Sequence, residues 1–322
     1  MTSYQFTLNS IAFDITAPPA MAWIMPFFIP QIIPNNQTII KAVVQVELQL
    51  VDTLTPPETT THFSDSIRQG KGLIWYRFHP NLALTFTHCQ ADKIAVRVQI
   101  LYQDNLKTRI KASLGSNTLD FRNNLFVQGI RHGILFPYFF MMNRHHQAAL
   151  THGSAFVQQN RGYAILGFDG VGKSTLAALA QEQGLSILSD NFVLMNKEHL
   201  FFVPDPLRIR TTKGSHLYGK RFEPLPFYQE SIARQQQCFI TLGDSYRFHP
   251  DGALTLTDFN HLVFSELIEF YDFNRFLTAL RLWVPSWPYQ RSFPWMDNDK
   301  LATCQRATLD DNKRLLNEIL SL

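Results

Sequence analysis

Gly167-Phe168-Asp169-Gly170-Val171-Gly172-Lys173-Ser174-Thr175 is the stretch on which the reading of this chain turns. It fits G-x-x-x-x-G-K-[ST], the spacing of a loop that cradles nucleotide phosphates. Glycines let the backbone turn tightly and bring N–H groups against phosphate oxygens with no Cβ in the way. The Lys173 ammonium suits β- and γ-phosphates, and the Ser174 hydroxyl suits Mg²⁺. The flanks supply the context that the motif requires. Tyr163-Ala164-Ile165-Leu166 is a short apolar run that reads as a buried strand. Thr175 to Gln183 is rich in Ala and Leu and reads as a helix stopped at Gly184. The whole run from Gly167 to Thr175 is therefore expected to bind ATP or GTP, with the positive end of the helix facing the anion.

Outward from the loop, Ser186-Ile187-Leu188-Ser189-Asp190 reads as a second strand ending at an acid. In a parallel α/β sheet, ligands sit at the carboxyl ends of strands, which would bring Asp190 beside the γ-phosphate. A carboxylate there holds Mg²⁺, orients a nucleophile or accepts a hydroxyl proton. Leu200-Phe201-Phe202-Val203 reads as a third strand, closed by Pro204-Asp205-Pro206. This alternation of strand, loop and helix from Ala149 onward predicts an α/β nucleotide-binding core, within a chain that is α+β as a whole.

The region before the core reads differently. Ala42 to Val51, Leu82 to His88 and Lys93 to Leu101 alternate apolar and polar residues, the period of half-buried strands. Residues 1–123 are thus a β-rich N-terminal region, with no Gly-rich loop or clustered acids. Residues 124–148 are long, apolar and Phe-rich and read as a bridging helical segment, kinked or broken near Pro137. Residues 149–322 form the nucleotide-binding domain. Within it, Thr211 to Arg247 is a polar, irregular excursion and a candidate lid. Gly252 to Val263 reads as strand-like, Phe264 to Leu282 as a helix and Leu309 to Leu322 as a terminal helix.

Composition narrows the classes of function. The 322 residues suit one large domain or two ordinary ones, and an apolar fraction of 45% provides a sizeable core. A net charge of +3, without any basic block, argues against nucleic acid or a membrane surface as partner. Ala20 to Pro34 is apolar but interrupted by Pro26, Pro30 and Pro34, too broken for a membrane span. Cys89, Cys238 and Cys304 show no metal-binding spacing, which fits idle thiols in a reducing cytoplasm. No secretory leader is recognisable, so a cytoplasmic protein is expected.

His152-Gly153-Ser154, the loop, and Gly184-Leu185-Ser186-Ile187-Leu188-Ser189-Asp190-Asn191 together resemble the HPr kinase/phosphorylase superfamily. That family carries a His-Gly pair 15 residues before the first glycine of the loop and a Gly-x-x-Leu-x-Ala/Ser-Asp-Asp element after the loop helix, and both spacings are kept here. The resemblance covers roughly residues 149–210. It implies a P-loop kinase core of the HPr kinase and phosphoenolpyruvate carboxykinase-like type. It also implies Asp190 as general base, Lys173 and Ser174 as phosphate and metal binders, and His152 as an active-site residue. On its own residues, His152 reads equally as a satisfied histidine on a strand edge.

Three departures qualify the resemblance. Asn191 replaces the second acid of the Asp-Asp pair. Asp169 stands where relatives usually carry Ser and adds negative charge near the phosphates. Leu207-Arg208-Ile209-Arg210 lacks the Glu of the family's downstream signature, which argues against HPr itself as acceptor. Arg208 and Arg210 read as phosphate-facing or as surface arginines.

The function expected from the sequence is a Mg²⁺-dependent ATP or GTP phosphotransferase acting on a hydroxyl, either a serine of a protein or peptide or a small metabolite. Homo-oligomers are compatible with it. The alternatives are a regulatory NTPase and a nucleotide-binding partner protein without catalysis.

Overall fold

A computed structural model describes residues 1–29, 39–58, 60–64, 66–90, 92–102, 121–168, 171–210, 220–223, 225, 230–242, 255–286, 288–298, 302–304 and 316–317. Over these, the chain forms two units, neither of them a single stretch. One comprises Met1–His145, Thr211–Arg221 and Asp272–Tyr289. The other comprises His146–Arg210, Phe222–Tyr271 and Gln290–Leu322.

The first unit is built on an eight-stranded sheet. Its strands are β1 (Thr2–Leu8), β2 (Ile11–Ala17), β3 (Ala42–Val51), β4 (Thr60–Ser64), β5 (Ile67–Gly70), β6 (Leu73–His79), β7 (Leu82–Gln90) and β8 (Lys93–Leu101), in the spatial order β1-β2-β3-β8-β7-β6-β5-β4. Asn9 and Ser10 join β1 to β2 with both φ positive, at +50° and +65°. That is the backbone of a two-residue type I′ turn, whose twist matches the strands it joins. β3 is parallel to both β2 and β8, and the remaining pairs are antiparallel.

One helical run packs on this sheet: α1 (Phe121–Ile130), a π turn (Arg131–Leu135) and α2 (Phe136–His146). Gly129 and Gly133 lie one turn apart on it. A Cβ at Gly129 would stand 2.6 Å from Ile100 Cδ1, and one at Gly133 2.7 Å from Val98 Cγ2. The two glycines let the helix backbone approach β8 closely. Pro137 does not break the run. The turn ahead of it is widened, with Phe136 N–H bonded to Arg131 O. This wider turn accommodates the missing donor and the ring bulk of the proline. Phe86, Phe136, Phe139, Phe273 and Phe276 fill the core beside it, with ring centroids 5.1–6.4 Å apart. Core filling is thus one use of the chain's many phenylalanines.

The second unit contains β9 (Ala149–Gln158), β10 (Arg161–Gly167), α3 (Lys173–Glu182), β11 (Ser186–Met195), β12 (His199–Phe201), β13 (Leu207–Arg210), β14 (Lys220–Glu223), β15 (Ser231–Leu242), α4 (Leu256–Glu266), the first turn of α5 (Ile268–Trp283) and β16 (Ala302–Cys304). β10, β9, β11, β12 and β15 pair in sequence, and β15 pairs back onto β10, so five strands close into a barrel. β16 extends from β15 in parallel.

This overturns the expected fold class. The protein is mostly β, and the Gly-rich loop belongs to a closed barrel rather than to an α/β P-loop kinase core of the HPr kinase and carboxykinase-like type. The reason is local. Gln159 and Asn160 take φ of +47° and +64° and join β9 to β10 in two residues. A two-residue connection joins only antiparallel strands, because parallel ones need a long crossover. β9 is therefore antiparallel to β10, and it also pairs antiparallel with β11 on its other side.

Two further expectations change. The stretch expected as a strand at Gly252 to Val263 becomes helix from Leu256. The signal was in Thr255 and Asp258: Thr255 Oγ1 accepts the Asp258 N–H at 3.1 Å, and Asp258 Oδ2 accepts the Thr255 N–H at 3.3 Å. This is a capping box, which outweighs the β-branched residues around it. Asp190 does not end its strand, because β11 runs on to Met195. The expected irregular lid, 211–247, is not one over its described half: Ser231–Leu242 is β15, a strand of the barrel, because it pairs with β10 and β12. Most of the rest of that stretch and nearly all of the expected terminal helix, 309–322, fall outside the described residues.

Candidate phosphate-binding site

β10 ends at Gly167 and α3 begins at Lys173, so the strand–loop–helix order expected around the motif is present. Gly172 caps the helix with φ at +102°, a conformation that a Cβ disfavours. At the other end, Gly184 takes φ of +83°, and its N–H bonds to Gln181 O while the Leu185 N–H bonds to Ala180 O. This paired closure is the Schellman arrangement and explains the helix stop. α3 spans ten residues, so its N-terminal N–H groups and dipole form an anion-facing end.

The Lys173 side chain is buried, and its ammonium donates to Phe168 O at 2.6 Å, across the base of the loop. The Phe168 ring stands edge-on to Phe259 of α4 at 5.8 Å, which ties the start of the loop to that helix. Val171 is half-buried and Thr175 exposed; Asp169 and Gly170 lie outside the described residues.

The loop meets β11 through Ser174. Its hydroxyl donates to Asp190 Oδ1 at 3.0 Å. The Ser154 hydroxyl on β9 donates to the same oxygen at 2.6 Å. Ser154 stands directly opposite Asp190 in the β9–β11 register. Asp190 is fully buried. Burial raises its pKa above the ordinary carboxylate value. The hydrogen bonds from Ser154 and Ser174, then the charges of Lys173 and His152, pull in the opposite direction. A raised proton affinity is a property that general bases share.

His152 is also buried, and its Nδ1 lies 2.8 Å from Asn191 O. A carbonyl only accepts, so Nδ1 carries a hydrogen and donates it there. Phe270 meets this ring edge-on at 6.3 Å. Asn191 holds its carbonyl there by adopting φ of +73°, which Asn tolerates better than most residues. Its amide Nδ2 is buried and makes no hydrogen bond among the described residues. Gly153, between His152 and Ser154, faces the other way. A Cβ there would stand 2.5 Å from Ile165 O. The glycine is needed at this one position because a side chain there would collide with the Ile165 carbonyl.

The structure thus brings together Lys173, Ser174, Asp190 and His152 and adds Ser154, which sequence reasoning left out of the site. Only the β9–β11 register reveals Ser154, and the sequence carries no signal of that register. Arg208 and Arg210 lie on β13, but their side chains are outside the described set. Among the described residues no group of three or more His, Cys, Asp or Glu is poised for a metal ion. Mg²⁺ does not need one. It takes one or two protein oxygens and completes its shell with water and phosphate, and the Ser174–Asp190 pair fits that habit. Burial pushes the Cys89 thiol up to about 12, which makes it a poor nucleophile. No described helix is long and apolar enough to cross a membrane. No family model matches the chain, and no curated protein matches it.

Proposed function

We propose that the protein binds a nucleoside triphosphate at Gly167 to Thr175 and transfers the γ-phosphoryl group to a hydroxyl. One observation carries this reading: the Ser174 hydroxyl, next to the buried Lys173 at the start of α3, is hydrogen-bonded to the buried Asp190 at 3.0 Å. A phosphate loop whose serine faces a carboxylate is the arrangement that phosphoryl transfer uses. Ser174 and Asp190 would hold Mg²⁺, which would neutralise phosphate charge when bound. Lys173 would move from Phe168 O to phosphate oxygens. Asp190 would take the acceptor proton as the acceptor oxygen bonds to the γ-phosphorus and the bond to the β-phosphate oxygen breaks. The products are a phosphate ester and a nucleoside diphosphate. His152, fixed by Asn191 O, would support the Asp190 charge. The order of residues along 149–210 supports kinship in chemistry with the HPr kinase/phosphorylase superfamily, and the acceptor is a hydroxyl of a peptide or small molecule.

The test pairs binding with transfer. ATP with Mg²⁺ should raise the melting temperature of the wild type and leave that of Lys173→Ala unchanged. γ-Labelled ATP with an extract of the source cells should yield a labelled product that Asp190→Asn fails to make. Rapid phosphate release with no labelled product would point to an NTPase instead. An equal melting shift in Lys173→Ala would overturn the site itself.

A further inference from the structure

We infer that Ser154 is a positioning residue for the cation of this site: its hydroxyl holds Asp190 in place while the Ser174 hydroxyl is engaged elsewhere. The inference rests on the proposed reading of the loop as a Mg²⁺·nucleotide site.

Both hydroxyls donate to one oxygen, Oδ1 of Asp190, at 2.6 Å from Ser154 and 3.0 Å from Ser174. Two donors fill the two lone pairs of that oxygen. They are anchored very differently. Ser154 lies in the middle of β9, where it pairs with Ile165 of β10 on one side and Asp190 of β11 on the other. Its backbone is fixed from both flanks, and its side chain is fully buried. Ser174 lies in the first turn of α3, beside the loop that must receive a ligand. It is also the hydroxyl whose oxygen a cation would take. Among the described residues the Ser154 hydroxyl bonds to Asp190, so its effect on a cation runs through the carboxylate. Partners that orient a metal-binding side chain in this way typically set metal affinity by ten- to a hundredfold.

The experiment measures Mn²⁺ binding by electron paramagnetic resonance, on the full chain, with a β,γ-imido analogue of ATP. Mn²⁺ is a visible hard cation that accepts the same oxygen ligands. Binding of the analogue without metal is measured alongside. Ser154→Ala should weaken Mn²⁺ binding by about ten- to a hundredfold and leave metal-free analogue binding at the wild-type value. Ser154→Thr, which keeps the hydroxyl, should recover most of the affinity. If Ser154→Ala does not fold, Ser154→Cys takes its place, since it keeps the volume and leaves only a weak donor. Wild-type Mn²⁺ affinity in the Ala or Cys variant, or a Thr variant no better than Ala, overturns the inference alone. Loss of metal-free analogue binding in the Ala variant overturns it too, because Ser154 would then support the whole loop. A wild-type protein that binds neither analogue nor Mn²⁺ overturns the proposed function, and the inference falls with it.

Discussion

The two sheets bury their strands differently. In the first unit β2 and β8 alternate buried and half-buried residues along their length. In the second, β9 and β11 are buried at nearly every position. A polar residue on a half-open strand faces water at little cost. One on a strand covered on both faces must be bonded or destabilise the fold. Yet β9 and β11 carry His152, Ser154, Ser189, Asp190 and Asn191 in their buried runs. Polar groups placed where burial is most complete single out the candidate site as the region to probe.

The sharpest way to break this comparison is at Asp190. Asp190→Asn keeps the shape of the side chain, so the barrel should fold and still bind nucleotide. Transfer should fall by about a hundredfold or more, the usual contribution of a general base. Steady-state assays with labelled ATP check this, and near-native turnover would return Asp190 to a structural role.

The second probe compares buried titratable groups. In the first unit His132 is buried in the π turn, stacked on Phe78 at 3.7 Å, with Nδ1 bonded to Gln128 O. Burial lowers its pKa to about 3, and the charges of Arg131, Arg275 and His79 add to this. The unfolded chain therefore binds a proton below about 6.5 that the folded chain refuses. The stability contributed by neutral His132 is present above that value and lost as pH falls towards about 3. Asp190 has the opposite sign: its raised pKa gives a contribution present below the ordinary carboxylate value and lost as pH rises. Urea midpoints between pH 7 and pH 4 should fall for the wild type and less for His132→Leu, by a difference on the order of a few kcal/mol. Parallel curves would remove His132 as the cause.

Glycines give the third probe. Gly153→Ala forces a Cβ to within 2.5 Å of Ile165 O and should cost about 1–3 kcal/mol in urea unfolding. Gly184→Ala meets nothing within 4 Å and strains only its φ of +83°, so a smaller loss of about 1 kcal/mol is expected. Equal losses would mean that the barrel relaxes where it looks tightest. The smallest effect lies on the open face of the first sheet. Arg97 Nε and Glu47 Oε2 are 2.7 Å apart, with side chains 42% and 37% exposed. Glu47→Gln should cost less than about 1 kcal/mol, and added salt should erase the difference.

The same contrast explains what could be read in advance. β3, β7 and β8 were legible because their sequences alternate with period two. The loop and α3 were legible because glycine spacing and the stop at Gly184 reflect local backbone needs. The strand direction around the loop was not. It hinges on Gln159 and Asn160 taking positive φ, and glutamine gives no warning of that. The helix at Leu256 was available in Thr255 and Asp258 but lost to the β-branched residues near them.

By itself the sequence determined the Gly-rich loop and the helix that follows it: chain neighbours in a tight loop are brought together by local geometry alone. Asp190 and His152 entered through their spacing from that loop. Only the tertiary structure decided that the loop springs from a closed barrel, that Asp190 lies inside its strand, and that Ser154 completes its hydrogen bonding. Those facts depend on which strands pair and in what register. Pairing is fixed by long-range burial and by two turn residues, and neither leaves a periodic mark on the chain.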